Sequence, residues 1–416
     1  MLKNITFTFI SKVLIGVLNL LVAILLSRFL GAEIKGQASL VLTSITMFLI
    51  ACNIVGGATL VYLVPRFNTN TLLLISYSWT IISCTVVYVI VHFLNILPQE
   101  FEKHVLLLAM IDSFFSINNT ILLGKEKIKI VNILSFIKAL SITVVLIMFL
   151  TVFKTKSVDA YILTLYCSFS LTFLLSTFFV LKNRITTHSD KIFTDALLYC
   201  FRLGGINQLG HILQFTSLRL SYYLLSRFSG NSELGIYSNG VSLAESVWLI
   251  SNSISSVQYA KIANSGDREQ SIALTVDLTR ISLLICLFAV ITMALLPASF
   301  YTALFGIEFT NVKQVIYTLI PGVLFYNIAL IVGHYFSGIG KYEVEVWGNF
   351  SGLLVTLGLS IIAVKNGYSS LWAGLISSAS YMVTTLIIVF YFYKHDKVRP
   401  SLLLPRFSDI SQKLTK

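Results

Sequence analysis

The chain has 416 residues, 56% of them hydrophobic and only 12% charged, with a mean hydropathy of +0.85. A soluble domain carries roughly 25% charged residues, so a water-soluble enzyme or binding module is excluded. The formal charge of +12 would suit a nucleic-acid partner, but basic loops beside apolar runs follow the positive-inside rule instead, and no nucleic acid is expected.

Apolar stretches of about 20 residues, the length that crosses roughly 30 Å of hydrocarbon, recur from end to end. The first follows a basic start at Met1–Lys3 and is too long for a signal peptide, with no small-residue cleavage site behind it, so it reads as a retained span. Periodicity predicts helices over 8–29, 37–64, 71–94, 104–123, 130–153 and 159–181, then 196–226, 233–262, 272–297, 313–338, 346–364 and 368–393. Pro65, Pro98 and Pro297 fall at span ends, whereas Pro321 lies inside the tenth span and is expected to kink it. The five cysteines, Cys52, Cys84, Cys167, Cys200 and Cys286, lie in apolar runs without ligand spacing. They read as small core residues, and neither a metal site, a cofactor site nor a disulfide framework is expected.

An even number of spans puts both termini on one side. Eighteen lysines and arginines fall on that side, eight fall opposite, and four (Lys138, Arg202, Arg219 and Arg280) lie within spans. Both termini are therefore expected in the cytoplasm. No loop on the opposite side exceeds about a dozen residues, which leaves no room for a soluble catalytic domain.

One phrase occurs twice. LLSRFLGAEIKGQAS at 25–39 and LLSRFSGNSELGIYS at 224–238 match without gaps at an offset of 199, with 8 of 15 positions identical. A second echo sets LLGKEKIKI at 122–130 against GIGKYEVEV at 338–346, at an offset of 216. Each copy of the first phrase closes one span and opens the next, so a six-helix unit is duplicated. Six is even, so both copies cross in the same sense and are expected to be related by a pseudo-two-fold axis along the membrane normal. The expected organisation is an all-α integral membrane protein of about twelve spans: a first lobe at 1–185, a linker at 186–195, a second lobe at 196–393 and a basic tail at 394–416.

Ionisable groups inside spans are costly and are candidates for function. Gln208, His211, Phe215, Arg219 and Tyr222 share one face of the seventh span. Ser238, Ser242, Glu245, Trp248, Asn252, Ser256 and Tyr259 share one face of the eighth. Antiparallel pairing about residue 230 sets Arg219 opposite residue 241, one turn of about 5.4 Å from Glu245. The same construction about residue 127 sets Lys138 one turn from Asp112. Two readings stay open: ion pairs that only lock helices, or a lined cavity in which Lys12, Lys138, Arg202, Arg219 and Arg280 meet an anionic substrate. Arginine suits phosphate because its fork donates two parallel hydrogen bonds. Gln208, His211, Tyr222, Trp248 and Asn252 complete the substrate-site candidates, and Tyr222, Tyr237, Trp248 and Tyr259 are candidates for stacking on sugar rings. Asp112 and Glu245 are alternatively coupling-ion or proton sites.

The phrase LLSRFLGAEIKGQASLVLTSI, its echo ELGIYSNGVSLAESV, and the block GKYEVEVWGNFSGLLVTLGLSIIAVKNGYSSLWAGLISSASYMV carry a resemblance over nearly the whole chain. The sequence resembles the Wzx-like polysaccharide flippases of the multidrug/oligosaccharidyl-lipid/polysaccharide exporter superfamily. That resemblance implies two six-helix lobes about a central cavity, alternating access, and movement of undecaprenyl-diphosphate-linked O-antigen or capsule repeat units across a bacterial inner membrane. It also implies association with a polysaccharide polymerase and assembly proteins. A cationic lumen, common in such relatives, fits Lys138, Arg219 and Arg280. Many relatives carry a proline near the end of the eighth span, where this chain reads SSVQYAKIA. The competing readings are a cation-coupled drug or small-molecule exporter, which would want an acidic cavity, and a membrane-embedded glycan polymerase or acyltransferase. A lipid II flippase would usually carry fourteen spans.

Overall fold

In the computed structural model, residues 2–183, 193–264 and 267–405 are described, and among them the regular structure is entirely helical. The expected linker lies outside the described residues except for 193–195, and so does the tail beyond residue 405. In chain order the α-helices are α1 (Leu2–Cys52), α2 (Gly57–Leu63), α3 (Thr69–Phe93), α4 (Gln99–Gly124), α5 (Ile128–Thr151), α6 (Val158–Lys182) and α7 (Phe193–Phe228). They continue as α8 (Asn231–Ser246), α9 (Trp248–Ala263), α10 (Arg268–Leu295), α11 (Ala298–Phe305), α12 (Val312–Gly338), α13 (Glu343–Lys365) and α14 (Ser370–Asp396). The chain divides into two compact units, Met1–Ile212 and Leu213–Lys416, and the division falls inside α7.

Nine helical stretches among the described residues are long and apolar enough to cross a membrane. The difference from twelve has three local causes. The first two predicted spans run on through a turn at Gly31 and form one stretch, Ile10–Leu63. The seventh span, α7, is long enough at 36 residues but too polar to qualify. The eighth breaks at Val247 into α8 and α9 of 16 residues each.

The duplication is written in the backbone. Gly31 (φ 83°, ψ 179°) and Gly230 (φ 91°, ψ 167°), aligned by the repeated phrase, hold the same positive-φ conformation, which a side chain would strain. The second echo needs a correction of register. After α4 the amides of Lys125, Glu126 and Lys127 bond the carbonyls of Ile121, Leu123 and Leu122. After α12 those of Ile339, Gly340 and Lys341 bond Tyr335, Ser337 and Phe336, which is the same pattern at an offset of 214. Gly124 thus corresponds to Gly338, not Gly340. Each packs where a Cβ would press on a branched side chain ending the second helix of its unit, Val64 for Gly124 and Ile262 for Gly338.

The second predicted span, read as continuous over 37–64, is interrupted by a 3-10 turn at Asn53–Val55, followed by Gly57 at φ 53°. Carbonyls near the break are capped from other helices of the unit: Ile50 by Gln208 Nε2 (2.9 Å), Ala51 by Trp79 Nε1 (3.2 Å) and Val55 by Ser76 Oγ (3.2 Å). Pro321 opens α12 without ending it. The Ser378 hydroxyl of α14 enters the ladder, donating to the Thr318 carbonyl (2.5 Å) and accepting from the Gly322 amide (3.1 Å). Among the cysteines, Cys52 and Cys84 are buried neighbours (Sγ–Sγ 3.5 Å) and Cys286 is buried. Cys167 corrects the core expectation: it is exposed, because the buried stripe of α6 is Thr164, Ser168, Thr172 and Ser176. The side chain of Cys200 lies outside the described residues.

The left-handed position of the α4–α5 turn holds Glu126 (φ 59°), whereas its counterpart after α12 is Gly340 (φ 79°). Glu126→Gly is expected to stabilise the protein by about 1 kcal/mol and Gly340→Ala to destabilise it by about as much. Thermal melting of the two variants in detergent checks the opposite signs.

Candidate functional site

In the second unit, α7 and α8 form a hairpin about Gly230. The predicted register holds: Arg219 meets Glu245 through both arms of its fork, Nη1 to Oε1 at 3.1 Å and Nη2 to Oε2 at 2.7 Å. The side chains are only 24% and 14% exposed. A third group, Tyr381 of α14, donates its phenol hydrogen to Glu245 Oε1 at 2.9 Å. The carboxylate therefore has three strong donors, and removing any one of them would leave a polar atom poorly solvated.

Aromatic rings enclose this pair. Arg219 lies 5.3 Å from the Tyr222 ring centroid, and Tyr222 meets Tyr237 edge-on. Trp248, Tyr326 and Tyr381 form a triangle with centroids 4.8, 5.3 and 5.4 Å apart. Their polar ends are committed: Trp248 Nε1 donates to the Val323 carbonyl (3.1 Å), Tyr326 accepts from Gln214 (2.7 Å), and Tyr237 bonds Ser377 (2.8 Å). Tyr222, Tyr237 and Trp248 are buried, so their rings pack on protein and are closed to a sugar in this structure. Of the four stacking candidates only Tyr259 is exposed, at 37%.

The first unit carries the other expected pair. Lys138 of α5 bonds Asp112 of α4 across the turn at 125–127, with side chains 22% and 8% exposed. Two rings cover the ammonium, Phe169 at 4.4 Å and Phe115 at 5.2 Å from Nζ. Nearby, Asn118 is satisfied at both ends by Tyr77 and by Ser176 and Thr177.

The remaining sequence candidates are not gathered around either pair. Lys12 is exposed on α1, and His211 and Asn252 are exposed on α7 and α9. Gln208 spends its amide on the interrupted second span. Arg280 donates Nε to the Leu402 carbonyl (2.7 Å) in the short turn after α14. The side chain of Arg202 lies outside the described residues. The single polar face expected for the eighth span is split: Ser238 and Trp248 are buried, whereas Asn252, Ser256 and Tyr259 are exposed. The break at Val247 interrupts the helix between Ser246 and Trp248, and burial alternates along both halves.

Sequence reasoning missed Tyr326, Tyr381 and Ser377, which come from distant segments, and Gln214, which lies on α7 itself but off the polar face read for that span. The repeat also clarifies the pairs. At the offset of 199, Arg219 and Glu245 correspond to Leu20 and Thr46; at 214, Asp112 and Lys138 correspond to Tyr326 and Gly352. Each pair belongs to one unit only. Among the described residues no group of three His, Cys, Asp or Glu could hold a metal ion.

No protein-family model matches the chain, and no curated protein matches it in sequence. Solved structures do. A multidrug resistance MATE family transporter of the MOP superfamily, in its inward-facing conformation, is 16% identical with a TM-score of 0.74, over 93% of this chain and 95% of that one. The lipid II flippase MurJ, inward closed, is 14% identical with a TM-score of 0.71, over 95% and 88%. A MOP superfamily transporter from Pyrococcus furiosus, described as having a binding pocket of reverse polarity that suggests a different function, is 16% identical with a TM-score of 0.64, over 95% and 96%. The chain therefore has the multi-pass membrane fold of MOP superfamily transporters.

Breaking a buried pair by removing one partner costs about 3–5 kcal/mol, whereas replacing both partners costs much less. Arg219→Met and Glu245→Gln alone are expected to lower thermal stability more than the double variant does. A double-mutant cycle on detergent-purified protein checks the coupling.

Proposed function

We propose that the protein is a flippase for polyprenyl-diphosphate-linked oligosaccharide, carrying repeat units for a surface polysaccharide from the cytoplasmic to the outer leaflet. The observation that carries this reading is the bidentate Arg219–Glu245 pair within a span. A guanidinium fork that holds a carboxylate by two parallel bonds is already shaped for phosphate oxygens. Glu245 acts as the internal stand-in: a substrate diphosphate takes the fork, and Glu245 passes to Tyr381 and a proton. Lys138, held by Asp112 in the first unit, is a further basic group within a span. The charge balance within spans is weakly basic, Lys138, Arg202, Arg219 and Arg280 against Asp112, Glu245 and Asp277, and supports an anionic cargo.

The physical need is plain. A diphosphate and a glycan cannot cross hydrocarbon bare, so the carrier shields the head group while the polyprenyl tail stays in lipid. MurJ, with which this chain shares its fold, is a lipid II flippase, and its cargo class supports the reading. The proposed setting is a bacterial inner membrane with both termini in the cytoplasm, alternate exposure of the site to the two leaflets, and a polysaccharide polymerase and assembly proteins as partners.

A second reading keeps one specific support. The MATE transporter of similar fold is described as a multidrug resistance protein, and Glu245 and Asp112 would then serve cation coupling for export of a small molecule.

Cells lacking the protein are expected to accumulate polyprenyl-diphosphate-linked repeat unit on the cytoplasmic leaflet, reversed by the wild type. Arg219→Ala and Lys138→Ala at equal expression should restore about tenfold less, the worth of one charge-assisted bond. Absence of accumulation would favour the small-molecule exporter, and full rescue by both variants would return the pairs to helix locking.

A further inference from the structure

The two copies of one turn carry opposite charge, and the difference marks a surface. At the offset of 214, the N-terminal turn of α5 corresponds to that of α13, with Lys127 matching Lys341 and Lys129 matching Glu343. Helix α13 opens with Glu343 and Glu345, acidic groups at the positive pole of its dipole, which is the favourable arrangement. Helix α5 opens with no acidic residue in its first turn and no side-chain cap, and places Lys127 and Lys129 at that same positive pole. This sequence works against its own helix. Among the described residues neither lysine forms an ion pair, and both are exposed.

Three more cations gather at this end of the first unit, brought there by contacts in other segments. The turn packs on the end of α2 through Gly124 and Val64, two residues before the exposed Arg66, whose guanidinium lies 3.6 Å from the Tyr62 ring centroid. Lys125 Nζ donates to the Asn183 carbonyl at 2.8 Å, which ties the turn to the end of α6 and to the exposed Lys182. Among the described residues, four segments thus present Arg66, Lys125, Lys127, Lys129 and Lys182 beside the one acid Glu126. At the matching end of the second unit α13 opens with Glu343 and Glu345, and Arg268 is paired with the fully buried carboxylate of Asp396, which also accepts from Tyr335 (2.9 Å), although Lys394 and Lys397 stay exposed.

We propose that this end of the first unit is a docking surface for acidic phospholipid headgroups of the leaflet around it. The charge is concentrated where the spans end, at headgroup depth, and each Lys or Arg beside an anionic leaflet is worth about fivefold in association. A phosphate seated at the start of α5 would relieve the repulsion between its lysines and the helix dipole. Aromatic Tyr62, half exposed beside Arg66, suits the same interfacial depth. The surface is assigned to the first unit, whose α5 lacks the carboxylates that open α13. The inference depends on the membrane fold and not on the cargo, so it can stand or fall independently of the flippase reading.

The experiment is native mass spectrometry of the full chain released from detergent micelles, titrated with phosphatidylglycerol and with phosphatidylcholine. The wild type should retain phosphatidylglycerol at least about fivefold better than phosphatidylcholine. The variant Lys127→Glu/Lys129→Glu, which reverses the charge at the start of α5, should lose that preference, and the milder Lys129→Gln should reduce it with unchanged melting. Lys341→Glu in the second unit should leave it intact. Equal retention by wild type and both α5 variants overturns the proposal, as does an equal loss in Lys341→Glu. Displacement of the lipid by millimolar inorganic phosphate would also overturn it, because the surface would then be a free-anion site.

Discussion

A polar group in hydrocarbon must find its partner inside the protein, because no water is there to supply one. The described residues meet that constraint first by helix, and the backbone breaks are capped by side chains. Where the chain leaves helical geometry at Asn53–Val55, side chains of Ser76, Trp79 and Gln208 reach the carbonyls of Val55, Ala51 and Ile50. Where Pro321 removes an amide from α12, the hydroxyl of Ser378 enters the gap. Buried threonines such as Thr164, Thr172 and Thr279 return their hydrogens to carbonyls of their own helices.

The ion pairs obey the same constraint at higher stakes. Arg219 and Lys138 are tolerated within spans because Glu245 and Asp112 face them one turn away across a hairpin, and aromatic rings close the remaining sides. A pair of this kind adds little net stability, since desolvation offsets most of the attraction, but breaking it is costly. That asymmetry makes it a suitable element to be opened only by a ligand that replaces the lost partner.

Duplication supplied the scaffold and left the charges to diverge. The turns at Gly31 and Gly230, and those after α4 and α12, repeat in backbone conformation and hydrogen bonding. The residues carrying charge do not repeat: Leu20 and Thr46 stand where the second copy has Arg219 and Glu245, and Lys129 stands where it has Glu343. Backbone geometry is fixed by turn sterics that both copies need. Charge placement is free to specialise, since each copy meets different surroundings.

Membrane insertion, helical content, the repeated hairpin and both ion pairs were legible in the sequence, because each depends on local quantities: composition, a period of 3.6 residues, and spacing across a short turn. Even there the echo at Gly124 was off by two residues, since identical letters outweighed a turn geometry that only hydrogen bonds reveal. Tertiary structure alone decided the rest. It interrupted the second span and split the eighth at Val247, spent Gln208, Trp248 and Arg280 on backbone carbonyls, and buried Tyr222 and Tyr237. It also brought Tyr381 and Tyr326 to Glu245 from more than 80 residues away. A polar side chain in a span announces that it needs a partner. Which partner it finds depends on helices packed against it from elsewhere in the chain, and no local pattern records that.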